Sequence, residues 1–305
     1  MKMILWNCRG LGGPSTVSQL KDSIRIHHPN FMFLSELKKQ KDFVKTICVK
    51  LGYKDRLVAV DPIGISGGLV LLWDSSQNII QIIQHSFCFE VEIGKPNSNV
   101  SFWVVFVYMS TDRVIREDQW SFLINAKSKW GQDWIIGGDW NAIVDLSEKR
   151  GGRDKSLADM LSFQNFINQM SMVEVNMQGH KYTWSNNRSH EHFVEEKLDR
   201  VFGSLRWSSS HSSTVVLNCY QTASDHSLLV LISELTQIKP KARFIFNKQW
   251  IEKQDVMDVV KKAWEPLLFC SILWVVGNEL LDLESFSKED GSKLRSPLNC
   301  PNHTK

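Results

Sequence analysis

The chain has 305 residues, 43% of them hydrophobic and 23% charged, with a formal net charge of +3. That is apolar material enough for one large domain or two small ones, and too little charge to argue a nucleic-acid partner by itself. The six cysteines stand apart at 8, 48, 88, 219, 270 and 300, which excludes a zinc knuckle and a disulfide framework and predicts reduced thiols in an intracellular compartment. No apolar leader follows the N-terminal lysine, and the longest apolar run, Leu267 to Val276, is about half of what a bilayer needs, so a soluble protein with no membrane role is expected.

Met1 to Trp6 reads as a buried strand leading into Asn7-Cys8-Arg9-Gly10-Leu11-Gly12-Gly13. Pro14 and Ser15 then open a helix with Val17, Leu20 and Ile24 at helical spacing. Asn7 therefore stands at a strand end. Phe31 to Ser35 is a second short apolar run, and Glu36 lies just beyond it, trailed by Lys38 and Lys39. A lone Glu there is ordinarily a solvated or capping side chain; sharing the strand-end position of Asn7 makes a metal-ligand reading competitive. The next helix carries Phe43, Ile47 and Leu51 on one face.

From Arg56 to Tyr108 the pattern is one of strands, at Leu57 to Val60, Leu69 to Trp73, Ile79 to Ile83, Phe87 to Ile93 and Val100 to Tyr108. Phe87, Phe89, Val91 and Ile93 alternate with Cys88, Glu90 and Glu92, which predicts a half-buried antiparallel strand. Strands mixed with helices rather than strictly alternating with them argue α+β layers. Tyr108 closes an apolar run, so its hydroxyl emerges at a strand end, although an aromatic in that place is usually core.

A helix from about Arg116 to Trp130 leads to Trp134-Ile135-Ile136-Gly137-Gly138-Asp139-Trp140-Asn141-Ala142-Ile143. Trp134 to Ile136 is a short buried strand, and the two glycines are expected to turn the backbone at its end. Asp139 and Asn141 would then leave on the same side, because side-chain direction repeats every second residue. A carboxylate beside a carboxamide suits positioning a water, a metal and a phosphate oxygen. An Asx-turn is the plainer reading of an isolated Gly-Asp-x-Asn.

Ser147-Glu148-Lys149-Arg150-Gly151-Gly152-Arg153 puts three cations in a Gly-rich loop, as apt for phosphates as for solvent. A helix with Leu157, Leu161 and Phe166 follows. Tyr182-Thr183-Trp184-Ser185-Asn186-Asn187-Arg188 offers an aromatic among hydrogen-bonding side chains, either a base-stacking surface or an ordinary turn. Glu196-Lys197-Leu198-Asp199-Arg200-Val201-Phe202 sets an Asp in an apolar strand, where an unpartnered carboxylate is costly. Ser224-Asp225-His226-Ser227, ahead of the apolar run to Ile232, supplies the partner: Asp199 would fix the His226 ring and favour its charged form.

Six of these segments, Trp-Asn-Cys-Arg-Gly-Leu-Gly-Gly, Leu-Ser-Glu-Leu-Lys, Tyr108, Gly-Asp-Trp-Asn-Ala-Ile, Lys-Leu-Asp-Arg-Val and Ser-Asp-His-Ser, recur in an order that resembles the endonuclease/exonuclease/phosphatase superfamily. Within it they look most like the apurinic-type endonuclease domain of plant non-LTR (LINE-type) retrotransposon proteins. The resemblance implies an α/β (α+β) fold, a four-layer sandwich of two mixed β-sheets packed face to face with helices outside. It implies a single active site at the sheet ends and Mg2+, or Mn2+ in its place, as cofactor. By this resemblance Glu36 is the metal ligand with Asn7 beside it, and Asp139 positions or deprotonates the attacking water. Asn141 orients that water and a phosphate oxygen. His226, oriented by Asp199, stabilises charge on the phosphorane, and Asp225 assists at the metal or water. Tyr108 contacts the phosphate or acts as a phenolic acid or base. Trp184, Asn186, Lys38, Arg150 and Arg153 are the candidate nucleic-acid contacts. The chain departs from its relatives at Arg9, where many carry an acid, at Leu37, where Thr is usual, and at Ala142, where the plant elements have Glu.

The expected organisation is a catalytic domain over 1–235, a segment over 236–266 resembling the lead into a reverse transcriptase, and a poorly ordered tail over 267–305. No Tyr-x-Asp-Asp polymerase signature follows, which reads as a truncated or domesticated copy. The implied function is a magnesium-dependent DNA endonuclease (nickase), monomeric, with DNA as partner, RNA as a further substrate and the nucleus as a place of action. The alternatives are a phosphatase or phosphodiesterase on the same fold, and an idle nucleic-acid-binding remnant.

Overall fold

The computed structural model describes residues 1–64, 67–95, 100–188, 190–220 and 222–233, together with Asp258. The chain divides into two units, Met1–Thr236 and Gln237–Lys305, and the described elements all belong to the first. The expected segments 236–266 and 267–305 lie outside the described residues, Asp258 excepted.

In chain order the elements begin β1 (Lys2–Asn7), α1 (Pro14–His27), β2 (Phe31–Ser35), α2 (Lys41–Lys50), β3 (Leu57–Val60), β4 (Leu69–Trp73), β5 (Ile79–Gln84) and β6 (Cys88–Gly94). They continue with β7 (Ser101–Tyr108), α3 (Arg113–Ala126), β8 (Trp134–Asp139), β9 (Lys149–Arg150), α4 (Leu157–Met170), β10 (Met172–Glu174) and β11 (Met177–Gly179). The last are β12 (Trp184–Ser185), β13 (Glu195–Glu196), β14 (Asp199–Ser204), α5 (Leu205–Ser210), β15 (Val215–Cys219) and β16 (Leu228–Ile232).

Two large mixed sheets carry the molecule. One has seven strands in the order β11-β15-β16-β1-β2-β4-β3, the other six in the order β10-β14-β8-β7-β6-β5. Their inner faces share a core in which Leu5, Phe31, Phe33 and Leu71 from the first meet Phe89, Val91, Phe106 and Val201 from the second. On the outer face of the first sheet, Ile4, Trp6, Met32 and Leu34 pack against Leu20 of α1 and Val44 and Cys48 of α2. On the outer face of the second, Trp103, Val105, Trp134 and Ile136 pack against Trp120 and Leu123 of α3 and Phe163 and Phe166 of α4. The expected four layers are therefore observed, and strands buried on both faces explain why several read as continuous apolar runs.

Details differ from the sequence expectations for reasons of packing. The strand expected to be half-buried, β6, is covered on both sides, and Cys88 and Glu90 are fully buried. Glu90 is tolerated because the Trp130 indole donates to it at 2.6 Å and Lys129 and His85 reach it at 2.8 Å. In α2 the buried face is Val44 and Cys48, whereas Phe43 is exposed beneath the Lys39 ammonium. In α4 Leu157 and Leu161 face outward, and Met160, Phe163, Phe166 and Met170 make the contact. The helix expected from Arg116 begins at Arg113, capped by Asp112, whose carboxylate accepts from the Val114 and Ile115 amides, and its last turn, Lys127–Trp130, is a 3-10 helix.

The glycines at 137 and 138 do not turn the chain. β8 runs straight through them to Asp139, parallel to β7 and antiparallel to β14. They are there for close approach: a Cβ on Gly138, at φ +148°, would sit 1.9 Å from the Val107 carbonyl oxygen. The four cysteines of the described residues, Cys8, Cys48, Cys88 and Cys219, are free thiols, and burial pushes Cys8 and Cys48 up to about 12. No helix among the described residues is long and apolar enough to cross a membrane.

Candidate active site

Strand direction brings the candidate residues to one end of the sandwich. β1 and β2 are parallel, so Asn7 and Glu36 emerge together; β7 and β8 are parallel, so Tyr108 and Asp139 do the same and are register partners. β14 and β16 run against their neighbours, so their beginnings, not their ends, lie at that edge. This places Asp199 opposite Asp139 in the ladder, and His226 just ahead of β16.

The core of the site is a chain of hydrogen bonds across the two sheets. Asn7 Nδ2 donates to Asp139 Oδ2 at 2.9 Å, and Asp199 Oδ2 lies 2.9 Å from His226 Nδ1. His226 Nε2 faces Asp139 Oδ2 at 3.9 Å and Asn7 Nδ2 at 3.3 Å. All four residues are buried. Asp199 and Asp139 raise the His226 pKa to about 9 although burial of the ring opposes them. Burial and the Asp199 charge push Asp139 upward to about 7 against the pull of the imidazolium. With the ring charged, both ring nitrogens are donors, so the approach of Asn7 Nδ2 is a contact and Asp139 is the acceptor that Nε2 faces.

Asp139 also satisfies the Asx-turn reading. Its Oδ1 accepts from the Asn141 amide at 3.0 Å, while Oδ2 points at Asn7 and His226, so one carboxylate does both jobs. Asn141 itself donates from Nδ2 to the Met109 carbonyl at 2.8 Å, at φ +48°. Left-handed backbone gathers here: of seven non-glycine residues with positive φ among the described ones, Arg9, Glu36, Lys38 and Asn141 all belong to this end. Of the rest, His28 and Ser171 are helix C-caps, where the conformation is routine. Strained backbone of this kind costs about 1–3 kcal/mol per residue and collects where function needs it.

Glu36 sits apart from the buried cluster but adjoins it. Tyr108 donates its hydroxyl to Glu36 Oε1 at 2.9 Å, and the Lys38 ammonium is 3.0 Å from Oε2. Burial would raise the Glu36 carboxyl, but the Lys38 and Tyr108 hydrogen bonds outweigh it and hold the pKa below its usual value. Burial and the charges of Glu36 and Asp139 drive the Tyr108 phenol far above its ordinary range. The Tyr108 hydroxyl therefore stands as a donor to Glu36.

Asp225 Oδ2 accepts from the Arg9 guanidinium and, at 2.9 Å, from Trp184 Nε1. Its Oδ1 is buried with no partner. The other candidate contacts are partly committed elsewhere. Arg150 pairs with Glu195 at 2.6 Å and lies over the Phe193 ring, whereas Arg153 is exposed. Lys149, from the same basic loop, is sequestered on Glu196 at 2.5 Å. Asn186 spends its amide holding its own loop, donating to His192 and accepting from Arg188 and Val194.

Sequence reasoning missed two positioning residues. The Thr183 hydroxyl accepts from the Leu198 and Asp199 amides, both at 2.9 Å, and so fixes where Asp199 begins. Ser224 donates to the Asn7 carbonyl at 2.8 Å and accepts from the His226 amide at 3.1 Å, tying the His226 turn to β1. The Ser-x-His spacing is the local signal for the second, since serine bonds the amide two residues on. Nothing local signals the first.

Residues 4–226 match the endonuclease/exonuclease/phosphatase family. The chain belongs to that family. Solved structures agree in fold. A 3'-5' exonuclease (NExo) from Neisseria meningitidis superposes with a TM-score of 0.60 at 15% identity, covering 76% of this chain and 99% of that one. The same Neisseria protein, described as a 3' phosphatase and bound to a product DNA hairpin, gives 0.58 at 14% identity, with 76% and 98% covered. The endonuclease domain of TRAS1, a telomere-specific non-LTR retrotransposon, gives 0.54 at 15% identity, with 77% and 99% covered. No curated protein sequence matches the chain.

Asp139, Asp199 and His226 form a group whose ligand atoms lie within 4.8 Å of one another and which could hold a metal ion. Their atoms, however, are already engaged: Nδ1 with Asp199, and Asp139 with Asn7 and Asn141. A metal there would break those bonds; Glu36, bonded to Tyr108 and Lys38, and Asn7, whose Oδ1 accepts from the Arg9 amide, offer the hard oxygen donors a magnesium-like cation takes, and Glu36 is part-exposed. The buried, unpartnered Asp225 Oδ1 is a further free oxygen at the same end. Carboxylate and amide oxygens gathered at this end are the donor types that a divalent cation takes.

Proposed function

We propose that the chain is a divalent-metal-dependent phosphodiesterase acting on a nucleic-acid backbone, and specifically a DNA endonuclease that nicks. The observation that carries the reading is the Asp199–His226 pair set against Asp139 and Asn7 where the two sheets meet. An imidazolium held charged, beside a carboxylate of elevated pKa, supports two roles at once: an acceptor for a water proton and a fixed positive charge for a phosphorane. A Mg2+ or Mn2+ ion on Glu36 and Asn7 would supply Lewis-acid stabilisation of phosphate oxygens.

In this reading Asp139 Oδ2 takes the proton of the attacking water, and its Oδ1 bond to the Asn141 amide keeps the carboxylate aimed. His226, turned by Asp199 and Thr183, faces the non-bridging oxygens that gain charge. Tyr108 donates to Glu36 and keeps that carboxylate in place. Buried, hydrogen-bonded side chains of this kind need no reorganisation as charge develops, which is why such groups contribute strongly.

The order of the six sequence motifs supports an origin in plant LINE-type elements, and the endonuclease domain of a non-LTR retrotransposon shares the fold. A DNA substrate is supported by a relative of the same fold captured with a DNA hairpin. That relative also supports a second reading, removal of a terminal phosphate. Supercoiled plasmid incubated with and without Mg2+ or Mn2+ separates them. Nicked circles that appear only with metal carry the endonuclease reading. Release of phosphate from a 3'-phosphorylated oligonucleotide with plasmid left intact carries the phosphatase reading, and DNA binding with neither reaction carries the idle remnant.

A further inference from the structure

Arg9 is a cation at the same end as the candidate site. It leaves β1 two residues after Asn7 in left-handed backbone, φ +48°, with its amide on Asn7 Oδ1 at 3.2 Å. Its side chain reaches across to Asp225, in the loop ahead of β16. The pair is asymmetric: the Arg9 side chain is 53% exposed, that of Asp225 only 4%. Asp225 Oδ2 is also held by Trp184, so the carboxylate stays in place whether or not Arg9 is on it.

The Arg9 side chain keeps about half its surface in solvent, so it can swing away from a carboxylate that Trp184 still holds. Only Nη1 of Arg9 is engaged among the described residues; a guanidinium has five N–H donors in a flat fork, and that fork matches a phosphate. The candidate metal ligand Asn7 and the Tyr108 hydroxyl lie on the same side, since the Arg9 charge acts on the phenol. By contrast Lys38 is taken up by Glu36, Lys149 by Glu196 and Arg150 by Glu195.

We propose that Arg9 is a phosphate-binding residue of the site, resting on Asp225 when no substrate is present and moving to a non-bridging oxygen of a phosphodiester when one enters. This rests on the nucleic-acid reading above and adds the residue that exchanges an internal anion for the substrate's. Asp225 then competes with the substrate for Arg9. The opposing reading is a fixed structural clip between the β1 loop and the loop before β16.

The two are separated by the salt dependence of binding, measured by fluorescence anisotropy on a labelled DNA duplex in EDTA, where no cutting occurs. Loss of one phosphate contact should lower the slope of log affinity against log salt by about one. Arg9→Ala should show that drop and bind about tenfold more weakly at low salt, the effect of one charge-assisted contact. Arg9→Lys, which keeps the charge, should keep the slope. Asp225→Asn should bind more tightly than wild type, because Arg9 is released. A wild-type slope in Arg9→Ala, with only a lower melting temperature, would show a structural clip and overturn the proposal. So would an Asp225→Asn chain that binds as weakly as Arg9→Ala. A wild-type chain that binds no DNA at low salt removes the nucleic-acid reading as well. Wild type binding normally with an unaltered Arg9→Ala slope removes only the role of Arg9.

Discussion

Asp139 carries two tasks on its two oxygens, and Glu36 holds a charge on a part-exposed carboxylate at the cluster's rim. Replacing either by its amide keeps size and removes the negative charge. Asp139→Asn and Glu36→Gln should each lower the nicking rate on the order of a hundredfold or more, with DNA binding in EDTA nearly unchanged. Retention of full nicking by either variant would remove that residue from the reaction. The His226 pair makes a prediction about pH. Its folded-state pKa is raised from 6.5 to about 9, so its contribution to stability is complete below about 6.5 and lost as pH rises towards 9. Asp139 is raised from 3.8 to about 7, so the folded chain also binds the extra proton there and loses stability as pH rises from about 4 to 7. The two act in the same direction. Thermal melts of the metal-free protein should therefore fall from mildly acidic to alkaline pH, and Asp199→Asn should flatten the upper part of that decline. An unchanged pH profile in Asp199→Asn would show that Asp199 does not set the charge of His226.

At the scale of elements, β8 is the strand on which the site depends, because it ends in Asp139 and pairs with both β7 and β14. Its glycines permit that double pairing. Gly137 packs under Val201 and Leu5, and Gly138 lies against the Val107 backbone. Gly138→Ala would force a Cβ onto a carbonyl oxygen in a conformation that L residues rarely adopt. It should destabilise by about 3 kcal/mol or more, read as a lower urea midpoint at unchanged slope, and should displace Tyr108 and Asp139 together. A chain of wild-type stability would mean the β7–β8 contact has slack that the packing does not suggest. α3 and α4 act at a distance: Trp120, Phe163 and Phe166 stack with centroids 5.3–6.3 Å apart beneath Trp140, the residue between Asp139 and Asn141. That packing holds Trp140, and with it the turn after β8, against the helices.

For the whole molecule, the decisive strand is the last described one. β16 lies in the interior of the seven-stranded sheet, between β15 and β1, and Ser233 closes back on Met1 through bonds of 2.9 Å in both directions. A chain ending near Gln237 should therefore fold cooperatively and keep its nicking activity, whereas one ending before Leu228 should lose a central strand and not fold. Circular dichroism melts and the plasmid assay check both. If the chain ending near Gln237 aggregates while the longer one stays soluble, residues past 237 contribute to the fold.

The sequence by itself placed Asn7, Glu36 and Tyr108 where apolar runs stop and His226 where one starts, because a polar side chain interrupts an apolar pattern wherever it stands. It ended β8 at Ile136, three residues short of Asp139. The mixing of strands with helices pointed to α+β layers, and the four-layer count came from the family resemblance of the motifs. What the sequence left open depends on partners distant in the chain. That Glu90 is buried follows from Trp130 and Lys129 across the sheet, not from its alternation with Phe89. That Gly138 is needed for approach rather than turning follows from β7 lying alongside. That Leu157 and Leu161 face solvent follows from which face of α4 the second sheet accepts. The Arg9–Asp225 pair, 216 residues apart, and the Thr183 hydroxyl beneath Asp199 have no local signature at all. Local pattern reports where apolar stretches lie; only the tertiary structure decides which side chains leave water and which group each one meets.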